Sequence, residues 1–138
     1  MAKRSFGPRE VWVNIAINSL RTLTPTQVDQ IAKLATPSRL AARSRALSVA
    51  KANGRSAYWS AARFYAGSEV NTAASLSAHM HYTKIKAGNP WHVAREAARD
   101  AAAAVTILDL LDPATAVELT RPIVDGYPAL RPHFLGHR

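Results

Sequence analysis

The stretch Asn89 to Asp112, NPWHVAREAARDAAAAVTILDLLD, decides the fold class because it has the clearest helical periodicity in the chain. One side carries an apolar stripe at three- and four-residue steps, made of Trp91, Ala94, Ala98, Ala101, Val105 and Leu108. The opposite side is polar and consists of His92, Arg95, Glu96, Arg99 and Asp100. This pattern is typical of an amphipathic helix that buries one face. We expect it to be the scaffold helix of the protein.

Proline and glycine mark the helix boundaries on either side of this stretch. Proline suits the first helical position, where its missing N–H has no partner to lose, and Thr, Asn, Asp or Gly before it can cap the helix. Five such pairs precede helix-compatible runs: Gly7-Pro8, Thr24-Pro25, Thr36-Pro37, Asn89-Pro90 and Asp112-Pro113. Pairs that can end a helix are Asn53-Gly54, Gly67-Ser68 and Gly88-Asn89. We predict helices over 8–23, 25–35, 38–52, 55–66, 68–86, 89–112 and 113–121.

Length and composition agree with one compact domain. A chain of 138 residues can bury roughly two-thirds of its unfolded surface. Much of its 48% apolar content is alanine, the strongest helix former. We therefore predict an all-α, single-domain helical bundle of about six to seven helices over residues 1–138. It divides into a basic half (8–63), a charge-neutral scaffold half (64–121) and an irregular Pro-rich tail (122–138) that packs onto the bundle or a partner.

The segment Pro8 to Leu23 admits a second interpretation. As a helix it is apolar over most of its surface, but Val11, Val13, Ile15 and Ile17 also alternate with their neighbours in the pattern of a half-buried strand. Such a strand would need a second copy of the chain to pair with. The resulting arrangement resembles the ribbon-helix-helix family of DNA-binding dimers, which implies paired strands in a major groove. That resemblance leaves more than half of the chain unassigned, so the helix is our prediction and the strand the alternative.

The formal net charge is +9, and the whole excess lies in the first half of the sequence. Residues 1–63 contain eleven Lys or Arg against Glu10 and Asp29, whereas residues 64–138 contain seven charges of each sign. Such asymmetry predicts an anionic partner: nucleic acid, an anionic membrane surface or an acidic protein face. No apolar run approaches the roughly 20 residues of a membrane span, and the N-terminus lacks a secretory pattern. We expect a cytoplasmic protein.

The segment Ser38 to Arg63 concentrates positive charge without a single acid. Its two predicted helices include one that places Trp59 four residues from both Arg55 and Arg63, a ladder on which nucleic-acid bases could stack. The alternative is that Trp59 packs in the core, as most large aromatic residues do. The preceding helix pair, 25–35 and 38–52, could also form a helix-turn-helix. We predict that partner contacts are made by Arg39, Arg43, Arg45, Lys51, Arg55, Trp59 and Arg63.

Signals for catalysis are weak. His92, Glu96 and Asp100 are spaced at helical turns, but a metal site needs converging ligands, and the adjacent Arg95 and Arg99 would oppose a cation. The sequence has no cysteine and no Gly-rich phosphate loop. We therefore assign no catalytic residue, metal site or cofactor. Two functions remain: a non-enzymatic nucleic-acid-binding protein for DNA or RNA, and a protein-interaction or assembly module whose basic face docks on an acidic partner, including as a homo-oligomer.

Overall fold

The computed structural model describes the backbone of residues 5–81 and 90–134, and the side chains of all of these except 78–81. This part of the chain contains seven α-helices and no strand, which confirms the predicted all-α class. The helices are α1 (Glu10–Ser19), α2 (Pro25–Ala32), α3 (Pro37–Ala52), α4 (Ser56–His81), α5 (Pro90–Val105), α6 (Pro113–Val124) and α7 (Arg131–Phe134).

The predicted caps form at three of the helix starts. Thr24 and Gln27 make a reciprocal capping box at α2, with the Gln27 N–H donating to Thr24 Oγ1 at 3.2 Å. Thr36 and Asp112 cap α3 and α6 by a one-way bond, each side chain accepting from the N–H three residues later, and each is followed by proline at the first helical position. At the end of α3, Gly54 has a φ of +69°, a left-handed conformation that glycine adopts without steric cost.

Helix α5 is the scaffold, as its periodicity predicts. It packs against α1, α2, α4 and α6, and its alanines from Ala101 to Ala104 are fully buried. Two clusters make up the core around it. The larger contains Phe6, Ile17, Leu20 and Val70 among others, and the smaller joins the alanine face of α3 to α6. Because alanine side chains are short, the helix axes can approach closely, which brings polar groups on neighbouring helices within hydrogen-bonding distance.

The segment Pro8 to Leu23 is helical and not a strand. Helix α1 occupies its centre and is flanked by short 3-10 turns, with Val13, Ala16 and Ile17 buried. The C-terminal tail packs onto this helix, since the His133 ring stacks on the Trp12 indole with a centroid distance of 4.3 Å. The tail therefore contacts its own bundle as far as Phe134, the last described residue, which is itself buried.

Several helix ends differ from the predicted ones. Helices α1 and α2 end at Ser19 and Ala32, before the predicted Leu23 and Ala35, and three other ends differ for reasons that the contacts show. We expect a stop at Gly67-Ser68, but α4 continues through it. Gly67 serves a different purpose: a Cβ there would lie 3.2 Å from Arg99 Cδ, so glycine makes room for that side chain to cross α4. Helix α5 ends at Val105 and not at Asp112, because the chain tightens into three-residue turns in which the Thr106 N–H donates to the Ala103 carbonyl.

Helix α6 runs three residues beyond its predicted end at Arg121. Proline normally ends a helix because it has no N–H for the carbonyl four residues earlier. Here Pro122 lies inside α6, and the carbonyl that it leaves unpaired is that of Glu118. The Arg39 guanidinium donates to this oxygen from Nη1 at 2.7 Å. A side chain from α3 thus replaces the missing backbone donor and allows the helix to continue.

Candidate functional site

Arg39 is an internal residue of the fold. It is only 3% exposed, and besides the Glu118 carbonyl it donates to the carbonyls of Ala97 and Leu119 at 2.7 and 3.0 Å. Burial lowers the pKa of its guanidinium. Its hydrogen bonds join α3 to α5 and α6. This position removes Arg39 from the surface that a partner could reach in this fold.

Arg43 and Arg63 converge on the carboxylate of Asp100, which is 4% exposed as a side chain. Arg63 donates to Asp100 Oδ1 and also to Glu96 Oε1 at 3.2 Å, and Arg43 Nη1 lies 3.5 Å from Asp100 Oδ2. Burial raises the pKa of Asp100, an effect that the neighbouring guanidinium groups oppose. Asp100 is therefore part of the interior, although its place in the sequence pattern predicts a wet face.

Trp59 is 3% exposed and packs among the alanines of α3 and α5, which bears out the core alternative and leaves its ring inaccessible for stacking. Arg55, one turn before it, donates to Asp109 Oδ1 at 2.7 Å. The predicted ladder of Arg55, Trp59 and Arg63 thus faces α5 and its following turn. Four arginines of the basic half pair with acids of the other half, in the pairs Arg21–Glu69, Arg43–Asp100, Arg55–Asp109 and Arg63–Glu96/Asp100.

The seven predicted contact residues therefore separate into three groups. Arg39 and Trp59 are buried, whereas Arg43, Arg55 and Arg63 are partly buried and paired with acids. Arg45 and Lys51 are exposed on α3. Arg45 reaches only a neutral partner, the Thr115 hydroxyl, at 3.2 Å. That these seven residues contact a partner stays a prediction. Of the seven, Arg45 and Lys51 are the ones that are exposed to a partner in this fold.

No protein-family model, curated protein or solved structure matches the chain. Its surface chemistry is thus the guide to what it binds. Among the side chains of residues 5–77 and 90–134, no group of three or more His, Asp or Glu could hold a metal ion. None of the described helices is both long and apolar enough to cross a membrane.

A groove between α4 and α5 is the feature that the sequence pattern did not indicate. It has a volume of about 270 Å³ and is lined by Phe64, Gly67, Ser68, Asn71, Arg95 and Arg99. Phe64 is 67% exposed, whereas the Arg95 Nη1 atom donates to Asn71 Oδ1 at 3.1 Å. The signal in the sequence is that Phe64 and Ser68 are four residues apart in α4, as Arg95 and Arg99 are in α5. These two pairs of residues come together only because α4 packs against α5.

The Arg55–Asp109 pair makes stability depend on pH. The hydrogen bond from Arg55 holds the pKa of Asp109 below its ordinary value. Because the folded-state pKa is lowered, the stabilisation is present above the unfolded-state pKa and is lost as the pH falls through the folded-state value. We expect Asp109→Asn to melt a few degrees below wild type near neutral pH, because a partly exposed pair contributes at most about 1 kcal/mol.

The measurement is the melting temperature of both proteins by circular dichroism from pH 7 to pH 3. The gap between them should stay constant down to about pH 5 and narrow below about pH 4, since protonated aspartic acid and asparagine are then equivalent toward Arg55. Other acids titrate equally in both proteins and cancel in the difference. A gap that widened on acidification would contradict the prediction.

Proposed function

We propose that the protein binds nucleic acid without catalysing a reaction, by contacts to backbone phosphates. The observation that carries this proposal is the charge left over after internal pairing. All nine acids of the chain lie in residues 5–81 and 90–134, together with thirteen of the eighteen Lys and Arg residues. The other five cations occupy the acid-free segments 1–4, 82–89 and 135–138. Five of the nine acids, Glu69, Glu96, Asp100, Asp109 and Asp125, form ion pairs within the described part of the fold, and the net charge of the chain remains positive.

The cations that form no ion pair with a described acid are the available ones. Besides the buried Arg39, they are Arg9, Lys33, Arg45, Lys51 and Arg95. On the exposed side of α3, Arg45 and Lys51 alternate with the hydroxyls of Ser44 and Ser48. Arg, Lys and Ser side chains are common donors to phosphate oxygens. A polyanion with regularly spaced charges matches such a surface better than a compact acidic protein face, because protein interfaces usually have an apolar core.

Salt dependence tests this proposal. Fluorescence anisotropy with labelled single-stranded and duplex DNA and RNA should show binding at low salt, with log K falling linearly against log salt. The double variant Arg45→Gln/Lys51→Gln should bind more weakly to every probe. It should reduce the salt slope by about 1.8 on duplex DNA and about 1.4 on single strands, or about 0.9 and 0.7 for each lost phosphate contact. The charge-matched control is Arg121→Gln/Arg131→Gln, because both arginines already contact Asp125.

Wild-type protein that bound no probe at low salt would overturn the proposal.

The second candidate, an assembly module, is supported by a separate observation: Val11 and Ile15 lie one turn apart on α1 and are both exposed. A mass measurement of the native protein, made beside the binding series, separates the two candidates. Assembly predicts an oligomer in the absence of nucleic acid, whereas phosphate binding has no such requirement.

A further inference from the structure

The groove between α4 and α5 combines three kinds of group that seldom occur together by packing alone. Phe64 presents an open aromatic face, Arg95 and Arg99 supply positive charge, and Ser68 and Asn71 supply polar atoms. Its described lining residues include no acid. We propose that this groove holds one nucleotide of a single-stranded nucleic acid, with the base on Phe64 and an adjacent phosphate on the two arginines. The inference rests on the proposed function and specifies its ligand.

The arginines retain donors for a phosphate. A guanidinium has five N–H donors. Arg95 uses its two terminal nitrogens toward neutral acceptors, Asn71 Oδ1 at 3.1 Å and His92 Nδ1 at 3.3 Å. Arg99 donates to Glu96 Oε2 at 3.0 Å, but that carboxylate is shared with Arg63. Glu96 is thus shared by Arg99 and Arg63, and Arg63 also pairs with Asp100. Arg95 forms no ion pair with a described acid, so the groove keeps a net positive charge that a phosphate could balance.

The groove also has the geometry that such a ligand requires. Its volume of about 270 Å³ lies just below the range of about 300–1,000 Å³ typical of small-molecule pockets, so it suits one small unit of a longer ligand. Gly67 forms its floor, and the absence of a Cβ allows the Arg99 side chain to lie close to α4. Hydrogen bonds to Asn71 and Glu96 orient the Arg95 and Arg99 side chains before any ligand binds, which reduces the entropy lost on binding.

Exposure of Phe64 selects single strands over duplexes. In a duplex each base face is covered by its neighbours, whereas an unpaired base can stack on an aromatic side chain. Phe64 is 67% exposed, so much of its ring is open to solvent although it lies at 86° to the neighbouring Tyr65 ring, with centroids 5.1 Å apart. Phosphate contacts alone would not distinguish the two forms in this way, since both carry a charged backbone.

The test compares groove variants on a labelled single strand of about twelve nucleotides, a length within the usual site sizes, and on the duplex made from it. Phe64→Ala should weaken single-strand binding about tenfold and duplex binding less than about twofold, whereas Phe64→Trp should retain single-strand binding. Val11→Ala is the matched control, because Val11 is also 67% exposed and lies outside the groove. Arg95→Gln and Arg99→Gln should each reduce the single-strand salt slope by about 0.7.

The outcomes separate this inference from the proposed function. Wild-type protein that binds neither probe overturns the proposed function and this inference with it. Wild-type binding with Phe64→Ala indistinguishable from Val11→Ala overturns the groove alone. An equal loss on both probes overturns the stacking of an unpaired base. Melting curves show whether each variant is folded. Phe64→Trp is a second test of the aromatic ring, because it must bind the single strand more tightly than Phe64→Ala does.

Discussion

Replacing Arg39 with methionine should lower the free energy of unfolding by about 2–4 kcal/mol, because buried carbonyls lose a charged donor. The side chain is buried and donates to the carbonyls of Glu118, Ala97 and Leu119. Methionine keeps most of the volume of the aliphatic stem but supplies no donor. The measurement is equilibrium denaturation in urea, with the midpoint and slope fitted together.

The substitution Pro122→Ala tests whether Arg39 stabilises the fold mainly through its hydrogen bond to the Glu118 carbonyl. Alanine has an N–H that can donate to the Glu118 carbonyl within α6. That oxygen then no longer needs Arg39 as its hydrogen-bond donor. In a double-mutant cycle, Arg39→Met should therefore cost about 1–2 kcal/mol less in the Pro122→Ala background than in wild type.

Arg45→Met serves as the control from the same helix. Arg45 is exposed and bonds only to the Thr115 hydroxyl, so its loss should cost less than about 1 kcal/mol. An Arg39→Met cost that is the same in both backgrounds would show that the proline-released carbonyl is not the reason for the position of Arg39.

Replacing Arg63 with methionine should cost about 3 kcal/mol at neutral pH, because it leaves the buried Asp100 carboxylate with one fewer counter-charge. Arg63 contacts Asp100 directly, whereas Arg43 approaches it only to 3.5 Å. Arg55→Met is the matched control, since its partner Asp109 has 40% of its side chain exposed and such pairs contribute about 0–1 kcal/mol. Both arginines are four residues from Trp59, and only the fold distinguishes them.

The pH dependence of the Arg63→Met deficit provides a second measurement. Burial already raises the pKa of Asp100, and loss of a guanidinium raises it further. A carboxyl group whose folded-state pKa lies above the unfolded value binds its proton more tightly when folded, so lower pH favours the folded state. The deficit relative to wild type should therefore shrink as the pH is lowered and Asp100 becomes protonated, and it should be partly relieved by Asp100→Asn in the same chain. A deficit that grew on acidification would contradict this.

The fold class was predictable because helix signals are local. The capping box of Thr24 and Gln27 and the X-Pro starts depend on residues within one turn of each other, and they form as predicted. Two of the errors occur where a distant residue changes the local rule. Pro122 fails to end α6 because Arg39 supplies a donor, and Gly67 fails to end α4 because it makes room for Arg99.

The candidate site shows the same division more strongly. The basic segment from Ser38 to Arg63 is visible in the sequence. The sequence does not show which of its cationic side chains face solvent and which face acids on other helices. A side chain that is one turn away along the helix, as Arg55 is from Trp59, can be placed from sequence alone. The acids that pair with these arginines lie 33 to 57 residues further along the chain.

By itself, the sequence determined that this protein is helical, positively charged and divided into segments at its proline and glycine pairs, because these properties depend on composition and on neighbours. Only the tertiary structure decided which charges are used internally. Alanine-rich faces bring α3, α4, α5 and α6 close together, and buried charges must then be paired or hydrogen-bonded. Arg39 and Asp100 are buried with their partners for that reason, and the partly buried Arg63 pairs with Asp100. The same packing leaves Arg45, Lys51 and the Phe64 groove accessible to a partner.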